Sequence, residues 1–358
     1  GLRQQAEQRL GRGFGVADRI YADALVDGRF DPQAHGLGDD AAARWRVHFA
    51  VTLPRLVRKI EEPHPAYPDS RTTKVVLATA DDLEIESVII PMGPDKHTLC
   101  VSSQVGCKRA CRFCETGKMG FLRDLTAAEI VGQVVTARTV LGARITNIVF
   151  MGMGEALDNA DAVLQALRVL NDSRGLGYGQ QRITVCTVGN PEGLAKLAAH
   201  GYRRLNLSIS LNAATNAQRN TLMPINRRYP LPVLQQALQA HPRRSSFVYA
   251  INYCLMPGLN DQREDARAVA AFVAPLGRSL VNVIPYNPGS EPLTRAPTES
   301  EVETFVGWLI EDGVAVRRRV TKGRSMMAAC GQLGNLALRR RRAAEDGGTR
   351  RDDHAPDP

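Results

Sequence analysis

Three cysteines, Cys107, Cys111 and Cys114, form CxxxCxxC, and a fourth, Cys100, stands in the apolar run just before them. A thiolate is both a soft metal ligand and a nucleophile, and spacings of four and then three let a tight loop aim three thiolates at one iron-sulfur cube. A cube held by three cysteines keeps one iron open, and chemistry can occur there. Zinc is the plainer alternative, but a structural zinc site needs a second nearby pair of CxxC or HxxxH type, and none follows. Cys254 lies in an apolar run and reads as core packing. For Cys100, and for Cys330 in the small-residue stretch AACGQL, an inert buried thiol is the default.

The elements that must position these thiols come from a chain of 358 residues, 44% hydrophobic and 23% charged, which is enough for a full core and excludes a disordered protein. A net charge of +9 suggests an anionic partner, most commonly nucleic acid, with an Arg-rich proteome as the alternative. GLRQQAEQRLGRG has no apolar run for a signal peptide, and no stretch approaches the roughly 18 to 20 apolar residues of a membrane span. A cytoplasmic protein with no membrane partner is expected. Seven cysteines, an odd number clustered at one site, fit a reducing compartment better than a disulfide framework.

Residues 1–65 read as a small helical accessory domain, with VADRIYADALV and AAARWRVHFAVTLPRLVRKI carrying apolar residues at helical spacing. Arg44, Arg46, Arg55, Arg58 and Lys59 make the second stretch basic, as a solvated face or an RNA-docking one. EEPHPAYPD then breaks the chain, and over 66–95 TKVVLATA and EIESVIIP predict a β-hairpin turning at Asp81 and Asp82. Glu86 shares a strand face with Glu84, so an exposed strand carboxylate is its simplest reading. From 96 to 325, strand-like runs near 98–103, 145–150, 183–188, 205–211, 247–255 and 281–285 alternate with helical segments. This alternation predicts an α/β fold, a partial (β/α)6 barrel with its chemistry at the C-terminal ends of the strands. A further strand, VAVRRRV, leads to a loop over 326–338 that carries Cys330. Arg317, Arg318, Arg319, Lys322 and Arg324 beside it are suited to gripping phosphates. The charged, Gly/Pro-rich remainder, 339–358, is expected to be disordered.

Later strand ends carry further candidates. MGMGEA offers Gly152 and Gly154, which let a ligand approach the backbone, and Glu155, which can receive an ammonium group; a plain strand-end turn would look the same. SSQVGC, GFLRDLTAAEIVGQV, MGMGEALDN, PINRRYP and AACGQL occur in that order. With CxxxCxxC, this ordered set resembles the radical S-adenosylmethionine (SAM) enzymes. Within them it is similar to the ribosomal RNA adenosine methyltransferases that act on carbon 2 and their relatives that act on carbon 8, from about Phe14 to Leu333.

The resemblance implies a [4Fe-4S] cluster on Cys107, Cys111 and Cys114, with SAM held by Gly154, Glu155, Cys186, Ser210, Leu211, Asn212 and Asn287. Cys186 stands where the family usually has serine and Asn212 where it has histidine. Glu115 after the cluster motif also departs, as do Arg324, Ser325, Met326 and Met327 in place of acidic residues. The accessory domain matches one to which RNA contacts are attributed. Adenine carbons 2 and 8 are not nucleophilic, and the implied route avoids direct transfer by using two SAM per turnover. One methylates Cys330; the other yields a 5′-deoxyadenosyl radical that activates the methyl group for addition to the ring. Glu86 then removes the ring proton as general base, and Cys100 attacks the Cys330 sulfur to release product. The implied partners are ribosomal RNA, transfer RNA as a second substrate, and an electron donor of flavodoxin or ferredoxin type, acting on a monomer. Methylation at carbon 8 is the nearest alternative. A methylcysteine-dependent tailoring enzyme acting on a small molecule or peptide is another. A non-enzymatic RNA-binding protein with a structural cluster would need neither Cys100 nor Cys330.

Overall fold

The computed structural model describes residues 2–12, 14–64, 67–93 and 95–335. At the N-terminus α1 (Leu2–Leu10), α2 (Ala17–Val26) and α3 (Asp39–His48) gather Ala6, Leu10, Ala17, Ile20 and Trp45 into a small core of their own. Asp39 and Asp40 open α3 and Arg46 and His48 close it, each sign at the helix end that favours it.

The helical expectation fails past His48. Phe49 is already extended, and Arg55–His64 forms a strand, β1. Val51 and Thr52 are β-branched and Pro54 disfavours helix at the residue before it, so the helix cannot propagate. Arg55, Arg58 and Lys59 therefore lie exposed on an edge strand and not on a helix. The expected break at EEPHPAYPD is instead the end of a hairpin: β1 pairs antiparallel with β2 (Tyr67–Ala78), with an irregularity between Pro63 and His64. The turn at Asp81 and Asp82 forms as expected, Asp82 taking φ 57° and Thr79 N–H donating to Leu83 C=O at 2.9 Å. It joins β2 to β3 (Glu84–Pro91).

The chain then alternates: β4 (His97–Cys100), β5 (Gln104–Gly106), α4 (Glu115–Met119), β6 (Phe121–Asp124), α5 (Ala127–Thr139), β7 (Ile145–Phe150), α6 (Ala160–Asn171), β8 (Ile183–Thr187), α7 (Pro191–Ala199), β9 (Asn206–Ser210), α8 (Asn216–Leu222), α9 (Leu231–Ala240), β10 (Tyr249–Leu255), α10 (Arg263–Val273), β11 (Ser279–Pro285), α11 (Glu299–Glu311) and β12 (Val316–Arg318). The main sheet has the order β1-β2-β3-β4-β7-β8-β9-β10-β11-β12. It is antiparallel as far as β4 and parallel from β4 onward. The six expected parallel strands are all present, and β12 adds a seventh. Capping boxes at Thr126/Glu129 and Thr298/Glu301 start α5 and α11, and Asn190 with Pro191 starts α7.

β5 and β6 form a separate two-stranded sheet, and the cysteine loop is what lies between them. The main sheet curls into a partial barrel. Glu62 on β1 accepts hydrogen bonds from Gly323 N–H and the Ser325 hydroxyl, tying the loop after β12 back to the opposite edge. Among the described residues no helix is long and apolar enough to cross a membrane. The tail 339–358 lies outside the described residues.

Candidate active site

The cysteine loop is closed at its base, where Cys107 N–H donates to Gly120 C=O at 2.8 Å. Gly106 takes φ +76°, and a Cβ there would lie 1.8 Å from the Gly120 oxygen, so only glycine lets β5 and β6 meet this closely. Cys114 N–H donates to Cys111 C=O at 3.1 Å and turns the chain into α4. Cys107 and Cys111 are buried and Cys114 is half-buried. Burial pushes the Cys107 thiol up to about 12 and Cys111 well above its usual range, and each also feels Cys114 as a like charge. Among the described residues no three His, Cys, Asp or Glu side chains gather as a single metal ion requires. Three soft thiol donors on one short loop, two of them buried, are a donor set that suits an iron-sulfur cluster, which spreads its ligands over separate irons.

Ser102, Ser103 and Gln104 leave β4 fully buried, and they dock the MGMGE turn against this loop. The Ser102 hydroxyl donates to Glu86 C=O at 2.6 Å and accepts from Met153 N–H at 2.8 Å, while Gln133 of α5 satisfies the Ser102 N–H and C=O. Gln104 accepts from Glu155 N–H at 2.8 Å and donates to Asp124 at 2.7 Å. A buried polar network with its members satisfied specifies one arrangement. Gly154, at φ +99°, has the Gln104 Cβ 2.6 Å from where its own would stand. The next residue, Glu155, is buried and accepts from Leu157 N–H at 3.2 Å and Val188 N–H at 2.8 Å. Burial pushes its carboxyl up to about 7, an acidity that an arriving ammonium group would restore to normal.

At the neighbouring strand ends Cys186 Sγ and Ser210 Oγ lie 3.4 Å apart. Leu211 buries its side chain completely and gives its carbonyl to Arg219. Asn212 takes φ +56°, which asparagine tolerates better than most residues, and its Oδ1 accepts from Cys254 N–H at 3.0 Å. Asn287 donates to Cys330 C=O at 3.3 Å and accepts from Arg324 Nε at 3.0 Å. Cys254, read as core, is only half-buried, and its thiol is raised by burial and by the nearby Cys330 and Cys114.

Of the seven cysteines Cys330 alone is exposed, yet protein surrounds it: burial pushes its thiol up and Arg319 pulls it down. Its carbonyl is held by Asn287 just past the end of β11, and Cys100 on β4, Cys186 on β8 and Cys254 on β10 all feel its charge, which puts it on the lumen side of the strands. Cys100, buried on β4, is raised first by burial and then by Cys330. The loop carrying Cys330 is fastened on every side. Glu115 N–H donates to Gly331 C=O at 2.8 Å, the Thr116 hydroxyl to Leu333 C=O at 2.5 Å, Lys74 Nζ to Met327 C=O at 2.9 Å, and Gly334 N–H to Glu86 Oε2 at 2.9 Å.

Glu86 is thus no exposed strand carboxylate. It is 4% exposed and pairs with Lys74 at 2.9 Å. Glu115 is also buried; it accepts from Lys118 at 2.9 Å and from Ser290, joining α4 to the loop after β11. Lys74 and Arg219 escaped the reading of the sequence: Lys74 shows only as a charge before the apolar run VVLA, and Arg219 lies in the polar stretch NAQRNTL with no signal of burial. Within the basic run, Arg318 pairs with Glu299 and Arg324 with Asn287, which leaves Arg317, Arg319 and Lys322 without an ion pair among the described residues.

Parallel strands around a three-cysteine loop, with SAM-type turns at their ends and a lumen-facing thiol opposite, define a radical SAM enzyme. The radical SAM superfamily profile matches residues 101–270. The chain is 46% identical over 274 residues to "Probable dual-specificity RNA methyltransferase RlmN 1" of Protochlamydia amoebophila, covering 76% of each protein. It is 40% identical to "Dual-specificity RNA methyltransferase RlmN" of Syntrophotalea carbinolica, over 81% of this chain and 76% of that one. The crystal structure of a radical SAM methyltransferase from Sphaerobacter thermophilus superimposes with a TM-score of 0.82 at 33% identity, covering 93% of this chain and 96% of the other. The chain belongs to the RlmN family of RNA methyltransferases.

Proposed function

We propose that this protein methylates carbon 2 of an adenosine in ribosomal RNA, and in transfer RNA, through an S-methyl intermediate on Cys330. When bound, the cluster and two SAM molecules supply an electron, a methyl group and a hydrogen-abstracting radical. Cys107, Cys111 and Cys114 hold the cluster, and Gly154, Glu155, Cys186, Ser210, Leu211, Asn212 and Asn287 surround SAM, with Glu155 receiving its ammonium group. Cys330 is the methyl acceptor, exposed to the lumen; burial raises its thiol, and Arg319 offsets part of that rise. Glu86 takes the ring proton. Both its oxygens are engaged, so the Gly334 contact must open as it does so. Cys100 then gives up its proton and attacks the Cys330 sulfur; an S–S bond forms as the bond from that sulfur to the product carbon breaks, and that carbon keeps the electron pair and takes up a proton to become the methyl group. The electron comes from a flavodoxin or ferredoxin, and the enzyme works as a cytoplasmic monomer.

The observation that carries this reading is that the Cys330 loop is tied to Glu115, next to Cys114, and to Glu86 on β3, the strand paired with that of Cys100, so that two thiols remote in sequence share one region beside the cysteine loop. Binding RNA alone requires neither thiol. The test is Cys100→Ala, which should leave the protein covalently attached to RNA through Cys330, visible as a nuclease-sensitive shift on a denaturing gel. Cys330→Ala should give neither methylated protein nor adduct. Normal turnover by either variant would overturn the assignment.

A further inference from the structure

Arg219 of α8 is a cation in a place where folds rarely keep one. It is 1% exposed, and every hydrogen bond it makes goes to a neutral acceptor. Nε donates to Leu211 C=O at 3.1 Å, Nη2 to Val188 C=O at 2.7 Å and Ser210 C=O at 3.3 Å, and Nη1 to the Asn226 side-chain oxygen at 3.0 Å. Among the described residues no carboxylate pairs with it. Carbonyls satisfy the donors of a guanidinium but do not neutralise its charge, and a buried charge is ordinarily kept only when paired or beside a metal group.

The missing anion has an address. Arg112 N–H donates to Leu222 C=O at 3.0 Å, fastening the cysteine loop to the last residue of Arg219's own helix. Cys111 packs in one apolar group with Leu222 and Met223. Val188, whose carbonyl takes Arg219 Nη2, packs against that same group, as does Cys114.

We infer that Arg219 is the built-in counter-charge of the iron-sulfur cluster, a buried guanidinium fixed by the Val188, Ser210 and Leu211 carbonyls beside Cys111. This rests on the reading of Cys107, Cys111 and Cys114 as cluster ligands. Three thiolates bring negative charge into the lumen, and reduction of the cluster adds more. A fixed cation beside one ligand therefore favours both loading and the reduced state, and the charge of the cluster in turn relieves the cost of burying Arg219. The same side chain holds the ends of β8 and β9, so it is a positioning residue with an electrostatic duty, and it touches no substrate.

The test compares Arg219→Gln and Arg219→Lys with the unaltered protein, each stripped of iron and each anaerobically loaded. Two quantities are read: the thermal midpoint of both states, and the midpoint potential of the loaded cluster by redox titration followed by electron paramagnetic resonance. The gain in thermal midpoint on loading should shrink by more than half in Arg219→Gln and persist in Arg219→Lys, although both lose hydrogen bonds. The potential should fall in Arg219→Gln and stay near the unaltered value in Arg219→Lys. Equal destabilisation of the stripped and loaded Gln variant, which a simple brace would give, would overturn the inference. If Arg219→Gln does not fold, the Lys variant decides, because loss of its loading gain would overturn the inference equally. Methylation of RNA enters neither readout. Failure of the unaltered protein to take up iron would instead overturn the cluster reading itself.

Discussion

Replacing Lys74 by methionine should separate the stability of this protein from its activity. Lys74 Nζ stands 2.9 Å from Glu86 Oε1 with both side chains 6% exposed, and its second contact is Met327 C=O at 2.9 Å. Removing one member of a buried pair strands the other charge and costs about 3–5 kcal/mol, a large part of the ~5–15 kcal/mol that holds a domain together. Glu86 keeps the Gly334 N–H, which places the expected loss near the lower end, about 3 kcal/mol. Replacing Glu86 by leucine as well removes the stranded charge, and the double variant should recover most of that loss. Met327 and Gly334 are only half-buried, so water can take over their freed backbone groups. Activity should not recover. Met327 and Gly334 bracket Cys330, and a thiol misplaced by about 1 Å can lose on the order of 100-fold in rate. Urea unfolding with linear extrapolation gives the first quantity, and single-turnover methylation of Cys330 gives the second. A loss below about 1 kcal/mol for Lys74→Met, or normal turnover by the double variant, would refute the reasoning.

Anaerobic reconstitution should yield about four irons per chain, dropping sharply in Cys111→Ala, and stoichiometric tight zinc without iron would contradict the site. Glu155 has its carboxyl raised from 4.5 to about 7, so below pH 4.5 both folded and unfolded chains carry its proton. As pH rises from there toward 7 the unfolded chain releases the proton first, and the cofactor-free protein should lose stability across that window. Glu155→Gln should remove this decline; identical profiles for the two proteins would refute it. RNA affinity should fall with salt, and neutralising Arg317, Arg319 or Lys322 should each flatten the slope of log affinity against log salt by about 0.7–0.9. A salt-independent affinity would argue against phosphate contacts there.

The parallel strands were legible because strands buried on both faces read as apolar runs, as in ITNIVF and SLVNVIP. Asp81 and Asp82 marked their turn, and CxxxCxxC marked its loop. β1 was not legible, since Leu56 and Ile60 are four apart as in a helix, while the strand's own alternation is broken by a register shift between Leu56 and Arg58. On an edge strand burial does not enforce either period, and Pro54 was the signal that should have decided it. For Glu86 the local strand pattern pointed to exposure, and only the family resemblance argued otherwise. Its burial depends on Met327 to Gly334 arriving from the far end of the chain, and no local pattern records that. Arg219 is hidden likewise in the polar stretch NAQRNTL, because its burial comes from the ends of β8 and β9 closing over it.

The central claim, transfer of a methyl group to carbon 2 of adenosine in RNA through Cys330, meets its most direct test in the nucleosides of ribosomal RNA. RNA from cells with and without this gene would be digested and read by mass spectrometry against authentic 2-methyladenosine and 8-methyladenosine. The account predicts 2-methyladenosine that vanishes without the gene, returns with the unaltered protein and does not return with Cys330→Ala. Appearance of 8-methyladenosine in its place, or no change in any RNA nucleoside, would contradict it.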